Sequence, residues 1–400
     1  MKFPFVDVRA RLKPDCLARH AETDRRTRQA PPRETIMREI MGWLFRAQDI
    51  CGGEAIAEFY HLQTGWSEPC SETAVAIIPT FLSLDQRYAN GESLARTIRL
   101  GVPEHATPWL NDRSSPAAIH IAHIPTLTHA ILAWTALYQH THDPRFQTAA
   151  VDAAHRLVEH EQEAVLRQTA THSHRALSAW AILRATADNP TGSLAATALS
   201  CAESVARAID RDGYLHNSFH AETFDPLLLR VARTLHALVE AGLSAGTRSW
   251  VDAALRGAQR LLELYRGHDA PGGRSGNRRP ASHLFNCMAG CAQTAVLWLH
   301  LARQGLGDGF GDAAAHLNRF LASTIDTTNP DPGIRGGVRA GYPLWVDYYP
   351  LAYRALAAKF TLDAFLLEDE PVGGPRSVQK LQFKRPAERE YPAGITGGVE

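Results

Sequence analysis

Apolar and polar positions along this chain are organised on a long wavelength. An apolar, helix-like stretch of roughly 15–20 residues returns about every 50–60 residues. The copies read SETAVAIIPTFLSL from Ser71, HIPTLTHAILAWTALY from His123, HSHRALSAWAIL from His172, FDPLLLRVARTLHALVEAG from Phe224, FNCMAGCAQTAVLWLHLAR from Phe285 and YYPLAYRALAAKFTLDAFLLED from Tyr348. Repetition at such a period signals stacked supersecondary units. Between the blocks lie helical patterns with one apolar stripe. Arg33 to Phe45 carries Ile36, Met37, Ile40, Met41 and Leu44, and similar stretches fall near 85–99, 144–166, 194–210, 249–266 and 309–323. A helix apolar all round is buried, whereas a single stripe marks a peripheral one. Six buried and six outer helices in alternation predict an all-α (α/α)6 toroid, with an inner ring wrapped by an outer ring. Period-two runs are few and no βαβ alternation is present, which excludes Rossmann and TIM architectures.

The length of 400 residues suits one closed toroid, read here as residues 33–369. Residues 1–32 form a polar, arginine-rich extension and 370–400 a tail of turn residues and scattered charge, both expected to be loosely ordered. Lys plus Arg and Asp plus Glu are 42 each, so no global basic field argues for nucleic acid. No stretch is long and apolar enough to span a bilayer, and MKFPFVDVRARLKPD lacks an apolar signal core. The expected location is the cytoplasm. Six cysteines in so long a chain read as reduced thiols, not as a disulfide scaffold.

In a toroid the inner helices run parallel, so their N-termini meet at one mouth. Unpaired N–H groups and the positive dipole end favour anions there. Two Gly- and Arg-rich loops lead to that mouth: 271–283 brings Arg274, Arg278 and Arg279, and 333–343 brings Arg335 and Arg339. Guanidinium groups match carboxylates, sulfates and phosphates bidentately. Glu72, in the first turn of the first inner helix, is either a dipole partner or a pocket acid near Trp66 and Tyr60, whose aromatic faces suit sugar rings. Histidines cluster at helix entries: His120, His123 and His129, then His172 and His174, then His216 and His220, then His283. A mouth histidine is a candidate acid or base, and His172 beside Arg175 is preferred. Tyr342, Trp345, Tyr348, Tyr349 and Tyr353 form the densest aromatic group. Nearby arginines are expected to lower a phenol's pKa. The pairs His216/His220 and Cys287/Cys291 have ligand spacing i, i+4. Loop residues around the first pair, and the small residues around the second, argue for turn and packing seam instead. No metal or other cofactor is expected.

Three segments, GWSEPCSETAVAIIPTFLSL, FNCMAGCAQTAVLWLHLAR and GGVRAGYPLWVDYYPLAYRALAAKFTLDAFL, resemble a group of bacterial α/α-toroid proteins associated with exopolysaccharide and capsule biosynthesis, within the broad squalene-cyclase/prenyltransferase-like toroid superfamily. The resemblance covers roughly 40–369. Where that group carries Pro-Glu-Thr-Thr, this chain reads Ser71-Glu72-Thr73-Ala74 and keeps the glutamate. Cys287, Gly290, Ala292 and Gln293 match its Cys-x-x-Gly-x-Ala-Gln run, with Cys291 at a position that is usually polar. Tyr342-Pro343 and Tyr348/Tyr349 match its last motif. The Asp-rich motif of terpene cyclases is absent, and Cys287-Met288 departs from the Cys-His-Gly zinc motif of lanthipeptide cyclases. Toroid epimerases and lyases use tyrosine or histidine with Arg/Asn/His neutralisers, an inventory this chain holds. The resemblance therefore implies a protein of surface-glycan assembly.

The leading expectation is an enzyme that abstracts the C5 proton of a uronic acid in an acidic oligo- or polysaccharide, as an epimerase or a lyase. Tyr348 or Tyr349 and His172 would be base and acid, with Glu72 as a further catalytic group. Trp66, His123, Asn286, Gln293, Arg335, Arg339 and Tyr342 would hold substrate. One alternative is an inverting hydrolase with Glu72 and Asp225 as the paired carboxylates. Another is a non-catalytic glycan-binding or scaffold protein among polysaccharide-assembly proteins.

Overall fold

The computed structural model describes residues 31–89, 91–102, 117–166, 170–187, 192–216, 226–266, 268, 270–274, 285–346 and 348–370, with the side chains of 117–123 left out. These residues contain twelve helices: α1 Arg33–Asp49, α2 Ser71–Tyr88, α3 Glu92–Gly101, α4 Ala117–Thr141, α5 Pro144–Leu166, α6 His172–Ala185, α7 Gly192–Arg207, α8 Leu228–Ala245, α9 Arg248–Tyr265, α10 Met288–Arg303, α11 Phe310–Ser323 and α12 Ala355–Asp369. The even-numbered helices pack in a closed circuit, α2 on α4, α4 on α6, and so on to α12, which returns to α2. Each odd-numbered helix lies against the inner ring from outside. The architecture is an (α/α)6 toroid.

Side-chain pattern explains which helix goes where. In α9 the buried residues are Trp250, Val251, Ala253, Ala254, Gly257, Ala258, Leu261, Leu262 and Tyr265, a single stripe at helical spacing. In α10 every residue from Met288 to Leu299 is buried. A helix with no wet face must sit between two ring neighbours and an outer helix. Close packing of the ring uses small residues. A Cβ on Gly290 would stand 2.7 Å from the Leu229 backbone nitrogen, so α10 and the start of α8 touch through that glycine. Cys287 and Cys291 flank this contact, both fully buried, and burial pushes both thiols up. The ends are pinned by ion pairs, Arg33 with Glu368 and Arg87 with Asp369.

Five short strands tie down the loops at the inner-helix N-termini. β1 Phe59–His61 pairs antiparallel with β2 Gly65–Trp66 on one side and β5 Ala352–Arg354 on the other. β3 Asn286–Cys287 pairs with β4 Gly341–Tyr342. β3 runs straight into α10 and β5 into α12. These strands move two inner-helix starts from their expected places. The fifth begins at Met288, not Phe285. The sixth begins at Ala355, not Tyr348, because Tyr349 and Leu351 take positive φ values of 49° and 57°, which no helix allows. Conversely α4 starts at Ala117, before the expected His123. The expected fourth start at Phe224, like the extensions apart from residues 31, 32 and 370, lies outside the described residues. Among the described residues no helix is long and apolar enough to cross a membrane.

A carboxyl is trapped in the wall. Glu161 of α5 is 2% exposed. Ser178 of α6 donates to it at 2.6 Å and Cys201 of α7 faces it at 3.8 Å. Burial raises the Glu161 pKa, against the opposing pull of Ser178 and Arg175. The Cys201 thiol, pushed up to about 12 by burial and by Glu161, stays protonated. A carboxyl whose folded pKa is raised gives its full stability below the unfolded value and loses it as pH rises through the folded value. Glu161→Gln is therefore expected to gain on the wild type as pH rises from about 4 to 8, read by denaturant unfolding at each pH; a pH-independent difference would refute the trapped carboxyl. Gly290→Ala is expected to cost about 1–3 kcal/mol by overpacking, seen as a lower thermal midpoint.

Candidate functional site

In α8 the residues from Leu228 to Leu243 are buried except Arg230, Arg233, His236 and Glu240. They recur at three, three and four residues, one face of a helix. In α12 the half-buried residues of the first three turns are Lys359 and Asp363. The partners show where these faces point. Arg233 Nη2 meets His129 Nε2 of α4 at 2.9 Å, and Arg233 Nη1 lies 3.9 Å from Glu72 Oε1 of α2. Neither α4 nor α2 is a ring neighbour of α8, so these contacts cross the ring. The polar stripe faces the axis, and its partial exposure is exposure to the interior.

Around the inner-helix N-termini the charges are arranged in two connected groups. One is Glu72, His129, Arg230 and Arg233. An arginine only donates, so His129 Nε2 accepts from Arg233 and the ring proton sits on Nδ1. That Nδ1 lies 3.7 Å from Glu72 Oε1. Burial, with help from Arg233 and Lys359, holds His129 well below the ordinary histidine pKa, so it is a neutral imidazole. The Arg233 pKa is itself lowered, by burial and by Arg230 and Arg354, with Glu72 opposing. Burial lowers Arg230 as well, and Arg274 adds to the effect. The other group is Glu58, Tyr348, Tyr349 and Arg354. Arg354 donates to Glu58 Oε1 at 2.7 Å and to the Tyr348 hydroxyl at 3.1 Å, and Tyr349 donates to Glu58 Oε1 at 3.2 Å. β1–β5 pairing sets Phe59 opposite Arg354, which brings Glu58 alongside. Burial opposes the charge on Arg354, but the two phenols and Glu58 outweigh it and its pKa rises. The Glu72 charge supports the charge on Arg230, and Arg354 acts on Arg233, so the two groups share one electrostatic environment.

The expected lowering of the tyrosine pKa values does not occur. Burial raises Tyr348, reinforced by Cys287 and only partly offset by Arg354. Burial also raises Tyr349, and the Glu58 carboxylate that accepts its proton adds to the rise. Both phenols keep their protons at neutral pH, so they are donors and not bases. The N-cap of α2 is Cys70, which makes no side-chain capping bond, and Glu72 lies in the first turn.

The remaining sequence candidates divide by location. Gln293 is buried in α10, its amide 3.1 Å from His236 Nδ1. Asn286 donates to the Pro271 carbonyl at 2.8 Å and so holds the 271–274 loop. His172 opens α6 with Nδ1 at 2.7 Å from the His216 carbonyl. Arg339 is 2% exposed, its guanidinium 5.7 Å from the Tyr342 ring centre, and Tyr342 packs edge-on against Phe320. Arg335 turns to the outside, 3.3 Å from Glu39 of outer helix α1, because its loop is anchored there by Arg46. Trp66 packs against Trp43 of α1 and against Tyr60, which closes the loop rather than facing the axis. The His123 side chain, with Asp225, His220, Arg278, Arg279 and His283, lies outside the described residues. Sequence reasoning missed Arg230, Arg233, His236, Glu240, His300, Glu58 and Arg354. For the first four a signal existed: RVARTLHALVE places its only charged and histidine residues on one face of an otherwise apolar helix.

No family model matches the chain, and no curated protein matches it. Solved structures share its fold. An unsaturated glucuronyl hydrolase from Bacillus sp. GL1, responsible for degradation of glycosaminoglycan, superposes with a TM-score of 0.65 at 14% identity, covering 84% of this chain and 96% of that one. An unsaturated glucuronyl hydrolase specific for heparin gives 0.65 at 12% identity with the same coverage. An inactive variant of a Salegentibacter α-1,6-mannanase, solved with α-1,6-mannotriose, gives 0.58 at 11% identity, covering 83% of this chain and 98% of that one.

The tautomer and burial of His129 have a direct readout. Its imidazole is expected to remain neutral at pH values where a free histidine, with a pKa of about 6.5, takes up a proton. Nitrogen chemical shifts of labelled His129 should stay flat across that range, and a titration step near 6.5 would contradict the geometry.

Proposed function

We propose that this chain is a carbohydrate-active enzyme that binds an acidic oligosaccharide at the ring mouth and cleaves it by proton transfer from Glu72. The observation that carries the reading is the concentration of positive charge at the mouth. Arg230, Arg233, Arg274 and Arg354 converge on a region whose facing carboxylates are Glu72 and Glu58. Arg354 is matched by Glu58, but Arg233 reaches Glu72 only at 3.9 Å, beyond a hydrogen bond. A buried cation without a matched counter-charge is costly. A uronate carboxylate entering beside Arg233 would supply a matched counter-charge and orient the sugar.

Glu72 then sits beside the bound ring with the neutral His129 behind it. The His129 Nδ1–H faces its carboxylate and favours one orientation. A glutamic acid so placed protonates a leaving oxygen, and its conjugate base activates water. Tyr348 and Tyr349, protonated and on the same mouth, supply hydrogen bonds to sugar hydroxyls. The glucuronyl hydrolases and the mannanase that share the fold support a hydrolytic reaction, and the glucuronyl hydrolases support an acidic substrate. The resemblance to capsule-associated toroids supports a place in making or trimming surface glycans.

A second reading keeps the anion site and changes the chemistry. Abstraction of the uronate C5 proton would give an epimerase or a lyase. The protonated phenols favour it as proton donors, with Glu72 rather than a tyrosinate as the base.

The test is incubation with saturated and 4,5-unsaturated uronate oligosaccharides in deuterated water. Hydrolysis predicts new reducing ends, or loss of the unsaturated chromophore, without C5 deuterium in recovered substrate. The second reading predicts that deuterium, or a gain of chromophore. Glu72→Gln is expected to lower kcat by about 10²–10⁴-fold, while Arg230→Gln chiefly raises KM. Calorimetric binding without product in any assay would leave a glycan-binding protein, and absence of binding would end the reading.

A further inference from the structure

Deeper along the axis, below the arginines, a second cluster lies apart from the proposed sugar chemistry. His236 and Glu240 stand one helical turn apart on α8, and His300 reaches them from the neighbouring α10. Glu240 Oε1 is 3.4 Å from His300 Nε2 and 3.7 Å from His236 Nε2, and the three donor atoms all lie within 4.8 Å of one another. The side chains are only 15%, 19% and 13% exposed for His236, Glu240 and His300.

These separations are too long for good N–H···O hydrogen bonds, which cluster at about 2.7–3.2 Å. The shorter of them matches a different geometry, and the other is a few tenths of an ångström from it. A tetrahedral ion with bonds of about 2.0–2.1 Å to nitrogen and oxygen sets its donor atoms about 3.3–3.4 Å apart. We infer that His236, Glu240 and His300 form a three-ligand site for a divalent transition-metal ion of zinc type, with its fourth position open to the ring interior.

The chemistry of the donor set agrees. Ligation needs neutral imidazoles. His300 Nε2 is buried without a hydrogen-bond partner and aimed at Glu240. A ligating histidine usually donates its other ring proton to an outer partner that fixes the tautomer. Gln293 occupies that place, 3.1 Å from His236 Nδ1. The contact is made by the Gln293 amide nitrogen; ligation through Nε2 takes a half-turn of that amide, so that its oxygen accepts from Nδ1–H and the Nε2 lone pair faces the ion. Trp180 walls the cluster, its ring centre 5.4 Å from that of His236. The nearby cation, Lys359, is tied to Asp363 at 2.6 Å, which also accepts from Thr80 at 2.7 Å, so its charge is largely cancelled. The site differs from the His216/His220 and Cys287/Cys291 pairs that ligand spacing brings forward in the sequence. It stands independently of the proposed glycan reaction.

The experiment is metal loading of the full chain after chelation. Zinc by equilibrium dialysis with elemental analysis is expected to give one equivalent per chain. Cobalt(II) in its place should give the intense visible bands of a tetrahedral N/O site, without a thiolate charge-transfer band in the near ultraviolet. Glu240→Gln and His300→Gln should each bind at least tenfold more weakly while keeping the wild-type circular dichroism spectrum, and the exposed His155→Ala should bind as wild type. Gln293→Leu, which removes only the outer partner, should weaken binding by about 10–100-fold. Absence of stoichiometric binding, a thiolate band, or undiminished binding in both ligand variants would overturn the site. None of these readouts involves a glycan, so the metal site and the glycan reading fail separately.

Discussion

Ring closure is the constraint on which everything else depends. Once α12 packs back on α2, an inner helix has ring neighbours on two sides and an outer helix behind it. Along the middle of α8 the direction left for a charged side chain is the axis. This turns a one-dimensional pattern into a three-dimensional site. Arg230, Arg233, His236 and Glu240 are on one stripe of α8 because no other stripe of that helix tolerates them. The contacts from Arg233 to His129 and Glu72, on helices that α8 does not neighbour, follow from the same closure.

The short strands supply what helices alone cannot. Inner helices present their N-terminal N–H groups and a few long side chains such as Arg233 to the mouth, but not the phenols or Glu58. The β1–β5 pairing sets Glu58 against Arg354, and the positive-φ turn at Tyr349 and Leu351 points two phenols into the same region. Mouth chemistry thus comes from two sources. Helix faces provide Arg230, Arg233 and Glu72, and strand-held segments provide Glu58, Arg354, Tyr348 and Tyr349.

How much of this could be read in the chain depends on the range of the interaction. The fold was legible because inner and outer helices differ in a local property, all-round apolarity against a single stripe, as α10 and α9 demonstrate. Glu72 was legible because its helix start is marked by the sequence that surrounds it. The roles of Arg335 and Trp66 were not, because a loop's proximity to a helix start in sequence does not say which way its side chains turn; Glu39 and Trp43 on α1 decided that. Tyrosine acidity was misjudged for a related reason. Counting arginines nearby in sequence captures the Coulomb term and omits burial, which dominates at Tyr348. Glu58–Arg354 and Glu240–His300 join residues from distant segments, and no local pattern announces such pairs.

The histidines of the axis show how one physical cause serves two levels of the barrel. Burial is the largest cause lowering the pKa of both His129 and His236. At the mouth, a neutral His129 accepts from Arg233 and leaves the arginine's positive charge uncancelled, which a protonated imidazole would instead repel. One level down, a neutral His236 offers a lone pair beside Glu240. A ring interior charged by arginines at its entrance and held neutral at its histidines therefore sorts by sign. On the readings proposed above, the entrance would take an anion and the Glu240 level a metal cation, while Lys359, the cation of α12, is held by Asp363.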